Sequence, residues 1–264
     1  MPEGDSVAGH AQRLRPLLVS HRVVEVGGTA PSVRANSRRM LDADVDGIRT
    51  SGKNLVIDFS TGYSARIHLG MSGRWQVGPV VRTVHGSARL ILATTSHRVA
   101  CHAAPTVEVD RTPTIDDELA RLGPDLLGDF EVAEFLRRAR IANDTSLAEM
   151  LMDQRVLAGI GNVYKSELLF LAGIHPDTST SEVSDAQLRA MAAEAKRLLA
   201  SNVGSLRRST TGSHARGQET WVYGQAGMGC RLCGTRVERG SHGGRVTYWC
   251  PRCQARLGVG DPPQ

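Results

Sequence analysis

Lysine is almost missing from this chain of 264 residues: only Lys53, Lys165 and Lys196 stand among 32 basic residues. Arginine carries the positive charge, so a lysine that persists marks a position with a reason to be lysine. No apolar run approaches the roughly 20 residues of a spanning helix, which excludes a transmembrane segment. The opening MPEGDSVAGH lacks the basic-then-apolar layout of a secretory signal, so a cytoplasmic protein is expected. There is no internal repeat and no low-complexity tract. Cysteine is scarce and uneven. Of five, only Cys101 precedes residue 230, and it reads as a small buried hydrophobe.

What is present is ordinary globular composition, 41% hydrophobic and 22% charged, on a chain long enough for two modest domains. A net charge of +5 permits a polyanionic partner without demanding one. Val7, Ala11, Leu14 and Leu18 form one helical stripe, which Pro16 is expected to kink or end early. Short strand-like runs follow at 23–26, 55–59, 65–69, 74–77 and 88–92, separated by Gly- and Ser-bearing turns. Strands without intervening helices predict a sandwich or barrel. The stretch APTVEVDRTPTIDD carries two prolines and reads as a linker or crossover. Beyond it the periodicity is helical, around Val132–Ala139, Leu147–Leu151, 163–172 and Leu188–Leu199. Asp144 and Thr145 are candidate N-caps of the second, and Ser184 with Gln187 gives the last a capping-box start. Sheet first and helices second predict an α+β protein of two domains.

Three constellations carry chemistry. Cys230-x2-Cys233, sixteen residues, then Cys250-x2-Cys253 has zinc-ribbon spacing. Two tight Cys-x-x-Cys loops close a tetrahedron, and the stretch between them suits a β-hairpin with Ser241–Gly244 at its tip. Four cysteines leave no open coordination position, so one structural Zn2+ is expected rather than disulfides or redox chemistry. Arg231, Arg236, Arg239, Arg245, Arg252 and Arg256, with Tyr248 and Trp249, make that ribbon a candidate phosphate grip. In the second constellation, Gly159-Ile160-Gly161-Asn162 reverses the chain between two helical segments and leaves amide N–H groups at a helix start, an anion site to which Asn162 adds a donor. The third is the N-terminus. Removal of Met1 would expose Pro2 as a secondary amine. With an α-amino pKa of about 7.7–8.0, part of it is neutral and nucleophilic at physiological pH. Glu3 beside it is a candidate proton donor and acceptor.

Taken together, the PEG start, GKNL, HLGMSG, GIGNVYKSE and the four-cysteine hairpin, in that order, resemble the formamidopyrimidine-DNA glycosylase / endonuclease VIII family of bifunctional base-excision-repair enzymes. The likeness spans nearly the whole chain. The PEGD opening is more like the actinobacterial endonuclease VIII-like (Nei-type) branch than the 8-oxoguanine branch. The resemblance implies an N-terminal antiparallel β-sandwich flanked by helices, then a helix–two-turn–helix domain bearing the four-cysteine zinc hairpin. The expected boundaries are 1–112 for the catalytic sandwich, 113–130 for a linker, 131–221 for the helical domain with a mobile loop near 205–221, and 222–264 for the zinc finger.

The resemblance further implies that Pro2 attacks C1′ of an oxidised nucleotide, forming a Schiff base that undergoes β,δ-elimination; oxidised pyrimidines are the expected substrates, with the same chemistry on oxidised purines, or a non-catalytic damage-binding protein of the same fold, as the alternatives. Glu3 would protonate the opening sugar and Lys53 would contact a phosphate and assist catalysis. His68, Asn162 and Arg245 match DNA-phosphate positions, and Met71 matches a wedge into the gap left by the flipped base. His10 and His175 read as structural. Two departures stand out. Ser6 occupies a position that is glutamate in many members, with Asp5 next door. No DPRRFG-like loop lies between residues 82 and 112, and Gly70-Met71-Ser72 offers one bulky residue to fill the gap. Damaged DNA is the expected partner, single-stranded or bubble DNA as well as duplex, with no membrane association. The chain is expected to act as a monomer in the bacterial cytoplasm at the nucleoid.

Overall fold

The first apolar stripe does form a helix, α1 (Gly4–Leu18), and Val7, Ala11, Leu14 and Leu18 are all buried. Pro16 does not shorten it: the helix runs on to Leu18, and Val19 N–H still closes on the Arg15 carbonyl at 2.9 Å. Then come β1 (Glu25–Gly27), α2 (Pro31–Met40), β2 (Val45–Ser51), β3 (Asn54–Phe59), β4 (Tyr63–His68), β5 (Arg74–Pro79), β6 (Ala88–Ala93), β7 (His97–His102), β8 (Thr106–Arg111) and α3 (Thr112–Leu119). The computed structural model describes residues 2–84 and 86–255. It divides into two units, Met1–Arg121 and Leu122–Gln264.

The first unit holds two four-stranded antiparallel sheets, ordered β1-β6-β7-β5 and β2-β3-β4-β8. Their apolar faces share one core. Leu55, Ile57 and Ile67 from one sheet cluster with Leu90, Leu92 and Val99 from the other, and Leu14 and Leu18 of α1 join them. Cys101 sits in this core, where burial pushes its thiol up to about 12. The stretch read as a linker or crossover is instead β8 and the start of α3. Val107 and Val109 alternate inward, and outward-facing Glu108 meets Arg66 of β4 at 2.6 Å. A cross-strand ion pair is what makes this charged segment a good strand.

The second unit begins with α4 (Val132–Ile141), α5 (Leu147–Met150) and α6 (Asn162–Leu171). A short 3-10 turn and the long α7 (Asp185–Asn202) follow, and the hairpin β9 (Glu238–His242) and β10 (Arg245–Trp249) comes last. The N-cap of α5 is Ser146, not Asp144 or Thr145, because Ser146 closes a reciprocal capping box with Glu149. Ser184 and Gln187 cap α7 in the same way. Phe135, Leu147, Tyr164, Leu168, Leu188 and Leu199 bury together between these helices. Among the described residues no helix is long and apolar enough to cross a membrane.

Candidate active site and zinc hairpin

In the first unit, Lys53 and His68 stand at one end of the β2-β3-β4-β8 sheet. The β2–β3 hairpin turns in two residues, Gly52 and Lys53, between paired Ser51 and Asn54. Gly52 takes φ +56°, which disfavours a Cβ, and buried Asn54 donates from Nδ2 to the Ser51 carbonyl at 3.1 Å. The GKN run is thus the chemistry of a tight turn with Lys53 on its tip. His68, the last residue of β4, lies opposite Asn54. Burial first, then the charges of Lys53 and Arg66, lower its pKa and hold the imidazole neutral near pH 7.

Just beyond, Gly73 N–H returns to the Leu69 carbonyl at 2.8 Å. A Cβ on Gly73 would come within 2.3 Å of that carbonyl oxygen, so only glycine allows the turn. Met71, on its tip, is 74% exposed, which excludes a place in the core.

Helix α1 brings the N-terminus toward the same end. It runs antiparallel to β2, since Val19 bridges Val45 and Arg15 Nε donates to the Ile48 carbonyl at 2.9 Å. Back from Arg15 to Gly4 the helix rises about 16 Å. From Ile48 to Ser51 the strand advances about 10 Å. Pro2 and Glu3, which directly precede α1, are therefore carried toward the Gly52–Lys53 turn. Glu3 is buried at the N-terminus of the helix. Asp5 is buried too and accepts a hydrogen bond from Ser6 Oγ at 3.2 Å, so the acid next to the Ser6 departure is tied to it.

In the second unit, Gln154 shapes the glycine turn before α6. Its amide donates to the Met152 and Ile160 carbonyls at 3.1 and 2.9 Å and accepts from Gly159 N–H at 3.1 Å. This sets Asn162 as the first residue of α6, nearly buried, with Oδ1 unpartnered among the described residues. Arg245 starts β10 and is exposed.

The four cysteines meet as the spacing predicts, with ligand atoms all within 4.8 Å of one another. Zinc–thiolate bonds of about 2.3 Å in a tetrahedron require sulfur–sulfur separations of about 3.8 Å. Cys230–Cys253 and Cys233–Cys250 stand at 3.9 and 3.5 Å. The site fits zinc. Burial pushes the Cys250 and Cys253 thiols up, while hydrogen bonds from Thr235 hold Cys233 down to about 6. A divalent cation is what lets all four be thiolates together.

The N-terminal domain model of formamidopyrimidine-DNA glycosylase matches residues 1–109, its H2TH domain model residues 122–213, and the zinc finger found in FPG and IleRS residues 230–256. Endonuclease 8 2 of Mycobacterium bovis is 38% identical over 260 residues, covering 96% of this chain and 100% of that protein. The chain belongs to the formamidopyrimidine-DNA glycosylase / endonuclease VIII family. The Mycolicibacterium smegmatis protein named DNA-(apurinic or apyrimidinic site) lyase Nei2 is also 38% identical, over 96% of this chain and 99% of its own length. These relatives are of the Nei-type branch. The crystal structure of Lactococcus lactis formamidopyrimidine-DNA glycosylase non-covalently bound to AP-site DNA shares the fold, with TM-score 0.83 at 22% identity, covering 97% of this chain and all of that one. The C-terminal module of this family member is a zinc finger with one structural zinc.

Sequence reasoning missed the role of Lys165, Ser166 and Glu167 in the GIGNVYKSE run. All three are fully buried on α6, and between them they hold two distant segments. Lys165 Nζ donates to the Val246 carbonyl at 3.1 Å, and Ser166 Oγ accepts from Tyr248 N–H at 3.4 Å, so both fasten β10 to α6. Glu167 accepts from the N–H groups of Trp221, Val222 and Tyr223 at 2.7–2.9 Å and from the Thr210 hydroxyl. Burial pushes its carboxyl up, and those four donors pull the other way. The one available signal was a lysine kept in an arginine-dominated chain.

Glu167 therefore ties the loop 205–221 to α6 at both ends. Within that loop Arg208 lies over the Tyr164 ring at 5.0 Å, and exposed Arg231 of the zinc finger donates to the Gly217 and Thr220 carbonyls. Arg256, of the candidate phosphate grip, lies outside the described residues. Glu167→Ala strands the N–H groups of buried Val222 and half-buried Trp221 and Tyr223 and should lower stability by about 3 kcal/mol. Urea unfolding and hydrogen exchange at Trp221–Tyr223 measure this. An unchanged midpoint with retained protection would show that the carboxylate is not the anchor.

Proposed function

We propose that this chain is a bifunctional DNA glycosylase and AP lyase that removes oxidised pyrimidines. What supports the reading is the direction of α1, whose Arg15–Ile48 and Val19–Val45 contacts with β2 carry Pro2 and Glu3, at its start, toward the end of the sheet that bears the Gly52–Lys53 turn. With Met1 removed, the Pro2 nitrogen attacks C1′, the C1′–base bond breaks with its electron pair leaving on the base, and the proton lost from the attacking amine neutralises the departing base. Glu3 protonates the ring oxygen as the sugar opens, leaving an iminium between Pro2 and C1′. That iminium acidifies the C2′ proton. Its removal expels the 3′ phosphate, and a second elimination expels the 5′ phosphate. Lys53, on the turn, contacts a phosphate and disfavours protonation of the nearby amine.

His68, Asn162 and Arg245 grip phosphates around the lesion, and exposed Met71 wedges into the space left by the extruded base. Zinc takes no step in this chemistry; it holds the hairpin that carries Arg245. The enzyme acts as a monomer on DNA in the bacterial cytoplasm, at the nucleoid. The domain roles follow from the same reading, with the sandwich supplying the reacting groups and the helical and zinc segments the grip.

The pyrimidine preference is supported by the Nei-type relatives and by the lack of a DPRRFG-like run in the sequence between residues 82 and 112, where β6, β7 and β8 take 18 of the 31 residues. A second reading, the same chemistry on 8-oxoguanine or formamidopyrimidine, is separated by base release. 5-Hydroxyuracil should leave a matched duplex at least about tenfold faster than 8-oxoguanine. With Met71 as the lone wedge, release from a bubble should stay within a few-fold of duplex. Faster 8-oxoguanine release would transfer the assignment to purines.

A further inference from the structure

Arg245 sits opposite His242 across the turn of the zinc hairpin, and the two close the β9–β10 ladder. The turn between them is Gly243–Gly244, at φ +54° and +70°, the paired left-handed geometry that suits a two-residue hairpin. Directly opposed residues of an antiparallel pair project from the same face. His242 and Arg245 accordingly line one cavity of about 430 Å³, together with Thr145, Glu149, Met152 and Asp153.

Their environments differ sharply. Arg245 is exposed, whereas the His242 side chain is only 9% exposed, and its Nε2–H donates to Asp177 Oδ1 at 2.8 Å. Its Nδ1 is buried without a partner among the described residues, so Asp177 holds the ring's one hydrogen bond there. The ring stands edge-on to Trp249 at 5.8 Å, and Trp249 meets His175 in the same manner at 5.6 Å. His175 Nδ1 accepts the Asp177 backbone N–H at 3.1 Å, which fixes the segment that presents the carboxylate. On the other side, a Cβ on Gly243 would stand 3.0 Å from Glu149 Cγ, so the turn rests against α5.

The four cysteines that would hold zinc lie at the opposite end of the hairpin, beyond Trp249. Metal binding alone leaves the tip of a two-stranded ribbon poorly held, since isolated hairpins are marginal. We infer that His242, through its hydrogen bond to Asp177, is the positioning residue that aims Arg245 at a DNA phosphate. The inference rests on the proposed DNA-phosphate role of Arg245. Untethered, the arginine has the Glu149 and Asp153 carboxylates of the same cavity as competing partners.

The test uses the full-length, zinc-loaded protein and a duplex carrying a tetrahydrofuran abasic analogue. Affinity is measured across a salt series, with zinc content determined for every variant. Arg245→Ala should weaken binding about tenfold. It should also reduce the slope of log affinity against log salt by about 0.9, one phosphate contact. His242→Ala and Asp177→Ala should each reproduce both effects. The double variant His242→Ala/Arg245→Ala should be no worse than Arg245→Ala alone. His242→Gln, whose Nε2–H reaches the place of the imidazole Nε2–H, should recover most of the affinity. Single-turnover chemistry at saturating DNA should stay near wild type in His242→Ala.

If Arg245→Ala binds as wild type, the phosphate role of Arg245 fails. If Arg245→Ala weakens binding while His242→Ala and Asp177→Ala do not, or if the losses multiply in the double variant, the positioning role fails. Should His242→Ala lose zinc, Asp177→Ala and His242→Gln decide on the same criteria.

Discussion

Borohydride added while the chain acts on an abasic-site duplex is expected to trap a covalent protein–DNA adduct. A version carrying extra residues ahead of Pro2 should give none, a loss of at least about 1,000-fold. The reason lies in one nitrogen. As a free secondary amine, Pro2 has a lone pair for C1′ and forms an iminium that hydride reduces to a stable amine. As a peptide amide, the same nitrogen shares that pair with a carbonyl and cannot attack. The extended chain keeps Glu3, Lys53 and the rest of the fold, so retained zinc and retained affinity for abasic DNA confirm that only the nucleophile has changed. Pro2→Gly keeps a free α-amine but makes it primary and removes the ring, and a weaker adduct should remain. Undiminished trapping by the extended chain would place the Schiff base on another amine and remove the N-terminal mechanism.

The pH dependence of that adduct has a definite sign. An α-amino group near pKa 7.7–8.0 becomes nucleophilic as pH rises through that range. A cation nearby opposes protonation and moves the profile to lower pH. The same Lys53 charge acts on His68, where it adds to burial in lowering the imidazole pKa. Lys53→Gln should therefore shift the trapping profile toward higher pH as well as reduce its height.

The parts of this molecule that could be read from sequence are those whose cause is local. The zinc quartet declares itself by spacing, because each Cys-x-x-Cys loop makes half a tetrahedron from adjacent residues. The Gly52–Lys53 turn and the Ser184–Gln187 box are similarly self-contained. Elements whose cause is distant were missed. Helix α2 buries only Val33 and Met40, too few for a stripe. It is held by Ser32 Oγ donating to the Val107 carbonyl and Asn36 Nδ2 to the Val109 carbonyl, both on β8. Strand β8 looked like a linker because Glu108 is unreadable without Arg66. The site divides in the same way. Pro2, Glu3 and Lys53 announce themselves through type and motif. Glu167 looks like a surface acid of a helix until the N–H groups of residues 221–223 are folded onto it. His242 gave no signal at all, since its partner, Asp177, is remote in the chain.

Removal of zinc should unfold the hairpin while leaving the two larger cores intact. Among the described residues, the buried apolar cluster beside the four cysteines comprises Phe170, Val222, Cys230, Val237 and Cys250, with half-buried Trp221 and Tyr248 packed against it, and two of the five are ligands. Nothing of that size stabilises a two-stranded ribbon without the metal. Structural zinc in small fingers supplies about 10–16 kcal/mol of apparent binding energy at neutral pH, and here that is folding energy for residues 225–255. Cys250→Ser removes a fully buried ligand at the point where β10 enters the site, and should act like chelation. The consequences reach α6. Lys165 loses the Val246 carbonyl and Ser166 loses the Tyr248 N–H, which leaves a buried ammonium short of an acceptor. Hydrogen exchange should show protection lost through β9 and β10, weakened in α6, and unchanged in β2–β4. DNA affinity should fall at least about tenfold, with a shallower salt dependence as the Arg245 contact goes. A zinc-free protein that kept hairpin protection and DNA affinity would mean that α6 alone holds the ribbon, and the buried Lys165–Ser166 contacts rather than the metal would then be its foundation.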